Sequence, residues 1–343
     1  MNRDAVTSQD VARLAGVSQS AVSRVFTPGA SVSSAMRERV MSAAETLGYR
    51  PNALARSLIT GQSRMIGLVL AYLENQYYPV ALEKLSRALQ LKGYHVVVFF
   101  ASNASDNIDP VLEEILDYQI DGLILASTSL SNGLAERCHE AGIPVVLFNR
   151  RQNNPSLSHI TSDNYAGGKR LAEFLIQGNH QRIAHVAGWA GAATQIDREA
   201  GFVAGLTEAG LTLFARESGD YDFETTREAT RRLFPLGVPL DTLPDAVFVA
   251  NDHMAFAVLE TLRHELSIAV PEQVSVVAYD DVPLASWPSY NLTTLRQPTN
   301  RMVSATVDVL LGSINKPIHE PQHIEIEGPL IVRGSARLPP VSS

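Results

Sequence analysis

At the start of the chain, apolar residues recur at helical spacing. Thr7-x-x-Asp10 has the form of a capping box, opening a helix with Val11, Ala12, Leu14 and Ala15 as its apolar face. Gly16 permits a tight turn, and Ser18 is placed to cap a second helix that turns Ala21, Val22 and Val25 inward. A third helix starts near Ser33 or Ser34, carries Met36, Val40, Ala43, Ala44 and Leu47 on one side, and stops at Gly48. Three short helices around one small core, with a tight turn between two of them, form a helix-turn-helix domain.

From Met65 the pattern changes to short continuous apolar runs separated by helical stretches. The runs predicted as strands are Ile66–Ala71, His95–Phe100, Gly122–Ala126, Pro144–Phe148, Ile183–Ala187, Ala246–Ala250 and Val274–Tyr279. The predicted helices include Pro79–Leu91, Tyr165–Gln177, Arg198–Ala209 and Asp252–Leu266. Unbroken Val, Ile and Leu strands alternating with helices indicate parallel sheets covered on both faces. The fold class is therefore α/β, an all-α head followed by two doubly wound lobes.

Composition changes this picture in two places. A chain of 343 residues exceeds what one hydrophobic core supports, which agrees with several domains. The net charge of −8 argues against nucleic acid, but residues 1–60 hold seven arginines and four acids, net +3, leaving −11 on the rest. A basic head on an acidic body suits contact with DNA by one end only. A single cysteine, Cys138, excludes an internal disulfide framework, fits a reducing cytoplasm and reads as a small buried hydrophobe on a helix. The polar start of the chain and the lack of a bilayer-length apolar run predict neither a secretory signal nor a membrane association.

Two linked motifs carry a specific resemblance. The run Asp10-Val-Ala-Arg-Leu-Ala-Gly-Val-Ser-Gln-Ser-Ala-Val-Ser-Arg-Val25 resembles the signature of the LacI/GalR (lactose-repressor) family, and Leu47-Gly-Tyr-Arg-Pro-Asn-Ala-Leu-Ala-Arg-Ser-Leu58 is similar to its hinge-helix motif. The resemblance implies base reading by Gln19, Ser20 and Arg24, since Arg bridges guanine O6 and N7 and Gln pairs with adenine. Ser18, Ser23 and the helix N-terminus are placed for phosphates, although Ser18 also serves as a simple cap. The hinge positions implied in DNA contact are Asn52, Ala55, Arg56 and Leu58, with Leu58 wedged into the minor groove. Pro51 to Leu58 is about two turns, too short to hold as an isolated helix, so it is expected to order when paired with its dimer mate on DNA.

The body resembles the sensor core of the same family, of periplasmic-binding-protein type. The matching stretches are Val249-Ala-Asn-Asp-His-Met-Ala, Ala278-Tyr-Asp-Asp281, Leu292-Thr-Thr-Leu-Arg-Gln-Pro298 and Ile331-Val-Arg-Gly-Ser335. It implies a helix-turn-helix domain at 1–48, a hinge at 49–63, a first lobe of 64–160 plus 290–320, and a second lobe of 161–289 plus 321–338. Ligands of open α/β lobes sit beyond the carboxyl ends of the strands, where Asn149, Asn251 and Asp280 fall. Arg198, Asn251 and Asp280 match a hydroxyl-binding trio, and Tyr221 matches an aromatic that stacks on a sugar. Arg198 is read as opening a helix after the Gly188–Asp197 loop. Tyr77, Tyr78, Asp163 and Thr194 match further cleft positions. The two tyrosines read equally as core or dimer aromatics, and Asp163-Asn164 as a cap for the helix beginning near Tyr165. Asp252 and Asp281 read as helix caps. Ala192 stands where purine-responsive members carry an arginine, which lowers the case for a purine and favours a carbohydrate; a nucleoside or other non-sugar metabolite is the alternative effector. Asn149 replaces the more usual aspartate and departs from the simple hexose pockets.

Catalytic patterns fail on inspection. His319-Glu-Pro-Gln-His323 matches the spacing of zinc proteases, but Pro321 opposes the required helix and the residues after it alternate like a strand. Gly167-Gly-Lys169 lacks the rest of a phosphate-binding loop, and no G-x-S-x-G elbow occurs. No enzyme activity, metal or cofactor is expected. The expected partners are a pseudo-palindromic double-stranded operator, a small effector and a second copy of the chain. A solute receptor of the same core fold, without a DNA function, is the alternative from another class.

Overall fold

The computed structural model describes residues 6–27, 29–50, 62–70, 73–101, 115, 118–126, 132–152, 154–315 and 320–338. Two compact units divide the chain, Met1–Arg64 and Met65–Ser343.

The first unit contains α1 (Ser8–Ala15), α2 (Gln19–Phe26) and α3 (Ser34–Leu47). The capping box forms: Asp10 N–H donates to Thr7 Oγ1 at 3.3 Å, and Thr7 N–H donates to Asp10 Oδ2 at 3.0 Å. Gly16 takes a left-handed φ of 62°, which lets its N–H return to the last carbonyls of α1 and frees the chain to turn into α2. Ser18 and Ser33 cap α2 and α3 through the N–H groups of Ala21 and Met36. Val11, Ala12, Ala15, Val22, Val25, Val40, Ala43 and Ala44 make the core of this unit. Leu14, expected on the apolar face, is 54% exposed. It lies at the edge of the stripe that Val11, Ala12 and Ala15 define.

The second unit holds two sheets of six strands each. The first contains β1 (Met65–Leu70), β2 (His95–Phe100), β3 (Gly122–Ala126), β4 (Val145–Phe148), β5 (Ser158–Ser162) and β11 (His323–Ile326), ordered β11-β5-β4-β3-β1-β2. All of its pairs are parallel, with Ile66 opposite both Val96 and Gly122. The second contains β6 (Ile183–Ala187), β7 (Ala215–Ser218), β8 (Ala246–Val249), β9 (Ser275–Asp280), β10 (Thr293–Arg296) and β12 (Leu330–Ile331), ordered β12-β10-β9-β8-β6-β7. Here only β12 runs antiparallel.

Helices α4 (Tyr77–Leu91), α5 (Asn132–Glu140), α6 (Asn164–Gln177), α7 (Ala193–Glu208), α8 (Phe223–Leu233), α9 (Asp252–Glu260) and α10 (Thr299–Asn315) supply the crossovers. Cys138 on α5 is buried, and burial pushes its thiol up to about 11, so it behaves as the inert hydrophobe expected.

The lobe boundaries differ from those expected at 290 and 320. Residues 293–296 stay in the second sheet beside β9, and residues 323–326 belong to the first sheet beside β5. The chain leaves the second sheet only at Gln297-Pro298, where a residue without an N–H cannot extend β10. It then runs through α10, which packs on α4 and β3 to β5, and returns after β11. Strands β5, β7 and β10 were not among the predicted runs. Polar or mixed composition, as in Ser158-His-Ile-Thr-Ser162, hides them from an apolar-run criterion.

Helices α6 and α7 cross unusually closely, and this sets up the site. A methyl at Gly168 would overlap the Arg198 carbonyl, and one at Gly201 would overlap the Tyr165 carbonyl. Gly167 leaves room for the Tyr279 ring in the same way. The Gly-Gly pair is therefore a packing device, consistent with its failure as a phosphate loop.

Candidate functional site

On the head, Gln19, Ser20, Ser23 and Arg24 are exposed on the side of α2 opposite the buried Ala21, Val22 and Val25. Four polar side chains along the outward face of this helix offer donors and acceptors to a groove. Gln19 Nε2 donates to Ser8 Oγ at 2.9 Å, while the Ser18 and Ser20 hydroxyls share a hydrogen bond of 3.0 Å. Among the described residues Arg24 has no ion-pair partner. Asn52, Ala55, Arg56 and Leu58 lie outside the described residues.

In the body, the predicted polar residues converge on one buried cluster. Arg198 lies in the second turn of α7, which starts at Ala193, rather than at the opening of a helix as expected. Its Nε donates to Asn164 Oδ1 at 2.9 Å and its Nη1 to the Ala250 carbonyl at 2.8 Å. Its guanidinium sits 3.7 Å above the Tyr279 ring and meets Asp280 Oδ1 at 3.4 Å. Burial opposes this charge, but Asp280 and the surrounding tyrosines outweigh it and hold the Arg198 pKa above its usual value. The Asp280 carboxyl is shifted up, because burial exceeds the help it receives from Arg198, Gln297 and Asn75. Gln297 Nε2 donates to Asp280 Oδ1 at 2.7 Å and Asn75 Nδ2 reaches Oδ2 at 3.5 Å.

Tyr77 and Tyr78 begin α4 and are buried edge-to-face at 5.5 Å. Burial and the Asp280 charge raise both phenols, Tyr77 the more strongly, while Arg150 restrains the rise at Tyr78. Tyr221, at a left-handed φ of 62°, follows β7 and has Thr194 beside it. Among the described residues, three of the buried polar atoms without a hydrogen-bond partner belong to this cluster: Asn149 Oδ1, Gln297 Oε1 and the Tyr221 hydroxyl. Buried polar groups are seldom left unsatisfied, and orphans that converge at the carboxyl ends of strands are the mark of a ligand cleft.

Several predicted residues are occupied otherwise. Asp163 caps α6 through the Ala166 N–H at 2.9 Å, and Asn251 caps α9 through the Met254 N–H at 3.0 Å. Asp252 and Asp281, expected as caps, are not. Asp252 binds the Val282 N–H and the Thr294 hydroxyl, and Asp281 joins Arg296 and Arg333. Both tie the ends of β9 and β10 together. The residues that sequence reasoning missed are Asn75, Arg150, Asn164 and Gln297. Gln297 fell inside a matching stretch and Asn164 inside a cap motif, so both had a signal; Asn75 and Arg150 had none.

A cavity of about 610 Å³ shares Tyr77, Asp280 and Gln297 with the cluster and continues past Lys84 and Arg301, without reaching Arg198 or Tyr221. The cluster, with its orphaned atoms, is the better-built polar site. Among the described residues there is no group of His, Cys, Asp and Glu that could hold a metal ion, and no helix long and apolar enough to cross a membrane.

Residues 7–52 match the model of bacterial regulatory proteins, lacI family, and residues 172–336 match a periplasmic binding protein-like domain. The ribose operon repressor of Escherichia coli K12 is 32% identical over 96% of this chain and 99% of its own length. The chain belongs to the lacI family. It is a DNA-binding transcription regulator, and the curated relative it matches is a repressor. A transcriptional regulator CelR–cellobiose complex is 30% identical, with a TM-score of 0.71 over 96% of this chain and 99% of that one. The lac repressor dimer bound to operator and an anti-inducer is 27% identical, with a TM-score of 0.86 over 97% and 99%.

Proposed function

We propose that this lacI-family regulator is a repressor that binds a pseudo-palindromic operator as a homodimer, and that a carbohydrate held between its lobes sets operator affinity. The carrying observation is the convergence of Arg198 and Asp280 with three orphaned polar atoms, because a polyol supplies the donors and acceptors they lack. Arg198, Asn251, Asp280 and Asn149 bind hydroxyls, Tyr221 stacks on the ring, and Tyr77, Tyr78, Thr194 and Asp163 shape the wall. Ala192 contributes no cation, which counts against a purine. On the head, Gln19, Ser20 and Arg24 read bases while Ser18 and Ser23 hold phosphates; Gln19 exchanges Ser8 for a base edge. Asn52, Ala55, Arg56 and Leu58 complete the contact from the hinge.

A thermal-shift screen against sugars, sugar derivatives, polyols, nucleosides and purines tests the sensor half. A ligand at ~100 times its dissociation constant stabilises the body by roughly 2.7 kcal/mol. A carbohydrate hit that weakens in Tyr221→Phe supports the reading. A hit confined to purines or nucleosides overturns it.

A further inference from the structure

The cleft contains a second arginine that the carbohydrate reading does not use. Arg150 follows β4 directly after Asn149 and is only 8% exposed. Among the described residues it makes no ion pair or hydrogen bond. The face of Trp189, from the second lobe, lies 5.8 Å from the guanidinium carbon. An arginine in a protein keeps its proton, so this is a permanent positive charge removed from water. Such charges are buried beside a counter-ion, because desolvation is costly and a ring face offsets little of it.

The anions nearby are already committed. Asp280 is held by Arg198, Gln297 and Asn75, Asp163 caps α6, and Asp197 binds the neighbouring Arg151 at 2.5 and 2.9 Å. Residue 149 is a neutral asparagine, its Oδ1 orphaned. Arg150 directly follows Asn149 at the carboxyl end of β4, and its charge holds down the phenols of Tyr78 and Tyr221 against burial. Among the described residues one cation is thus left over, next in the chain to the orphaned Asn149 Oδ1 and beside Tyr78 and Tyr221, on whose phenols its charge acts. Trp189, beside the guanidinium, is itself partly exposed.

We infer that the cleft ligand is a polyhydroxylated anion, a sugar acid or a sugar phosphate, whose charged group is held by Arg150 while its hydroxyls engage Asp280, Asn149, Gln297 and Tyr221. This rests on the carbohydrate reading of the cleft and narrows it. A planar guanidinium donates equally to the oxygen pair of a carboxylate or of a phosphate, so the two sources separate only by experiment.

The test uses the full chain and matched probes at constant ionic strength: ribose against ribose 5-phosphate, and glucose against gluconate and glucose 6-phosphate. The expected result is that at least one charged probe binds roughly 10- to 100-fold more tightly than its neutral parent, the factor a charge-assisted hydrogen bond supplies. Arg150→Gln should erase that preference and leave the neutral parent's affinity within about threefold, while Arg150→Lys, which keeps the charge without the fork, retains part of it. The unliganded melting temperature of Arg150→Gln should hold or rise, because a buried charge without a counter-ion is removed. A fall would mark Arg150 as a structural latch on Trp189 and contradict the inference. Neutral sugars binding as tightly as charged ones, or anion affinity untouched in Arg150→Gln, overturns it while the carbohydrate reading stands. Silence from every sugar, charged or neutral, overturns both.

Discussion

At the scale of single residues, Arg198 is held on four sides, by Asn164, the Ala250 carbonyl, Tyr279 and Asp280. Arg198→Ala would strand the Asp280 carboxylate in a buried site, at a cost of roughly 3–5 kcal/mol in a denaturant melt. That is why Tyr221→Phe is the cleaner probe of binding. The hydroxyl it removes is unpartnered, so unliganded stability should hold while ligand affinity falls about tenfold, as one hydrogen bond implies. His185 allows a pH prediction. Its Nδ1–H donates to the Phe248 carbonyl and its Nε2 accepts from Gln195 Nε2, which fixes the neutral tautomer; Glu199, 4.0 Å away, forms no ion pair with it. Burial pulls its pKa down from 6.5 to about 4, and that of the buried His159 likewise. The unfolded chain therefore takes up protons that the folded chain refuses. The stability is complete above pH 6.5 and is lost as pH falls towards about 4, by at most roughly 3 kcal/mol per histidine. Melting temperatures between pH 7.5 and 4.5 should decline, and His185→Phe should flatten the slope. Asn149, Asn251 and Asp280 were marked out in the sequence because they follow strands or sit in matching stretches, and Arg198 only by the family resemblance. Arg150 and Asn75 were not, and Asn164 was read only as part of a cap, because their meaning lies in distant partners that only the folded chain brings near.

Among elements, local punctuation was the most readable part. The Thr7 box, the Ser18 cap and the Gly16 and Gly48 terminations each satisfy helix ends with residues adjacent in sequence. Loss of the box in Thr7→Ala should cost about 1 kcal/mol, seen as faster hydrogen exchange in α1 of the full chain. Less readable were elements whose burial comes from pairing rather than composition: β5, β7 and β10 carry polar residues, and the passage between lobes occurs at Pro298 rather than at the end of an apolar run. The contact of α6 with α7 was invisible as well, since a Gly-Gly pair has no periodic signal. Gly201→Ala forces these helices apart, and overpacking of this kind costs roughly 1–3 kcal/mol. Because Asn164 on α6 orients Arg198 on α7, the same change should weaken ligand binding at temperatures where the variant is fully folded. Ligand affinity equal to that of the unaltered chain would show that the helix contact does not position the arginine.

For the molecule as a whole, the division of charge carries the argument. A head of +3 on a body of −11 turns one end to DNA, and phosphate contacts make that affinity fall steeply with salt. Leu58→Gly is expected to lower specific but not non-specific affinity, measured as competition between operator and random duplex. Allostery in such a molecule is a coupling free energy between cleft and head, and it is reciprocal: whatever factor the ligand imposes on operator affinity, the operator imposes on ligand affinity. The most direct test of the account is a titration of the full-length chain against an operator selected from a random pseudo-palindromic library, with and without a saturating cleft ligand. The account predicts a change in operator affinity of about 5- to 150-fold, with non-specific affinity unmoved. Identical operator affinity in the two titrations would contradict it.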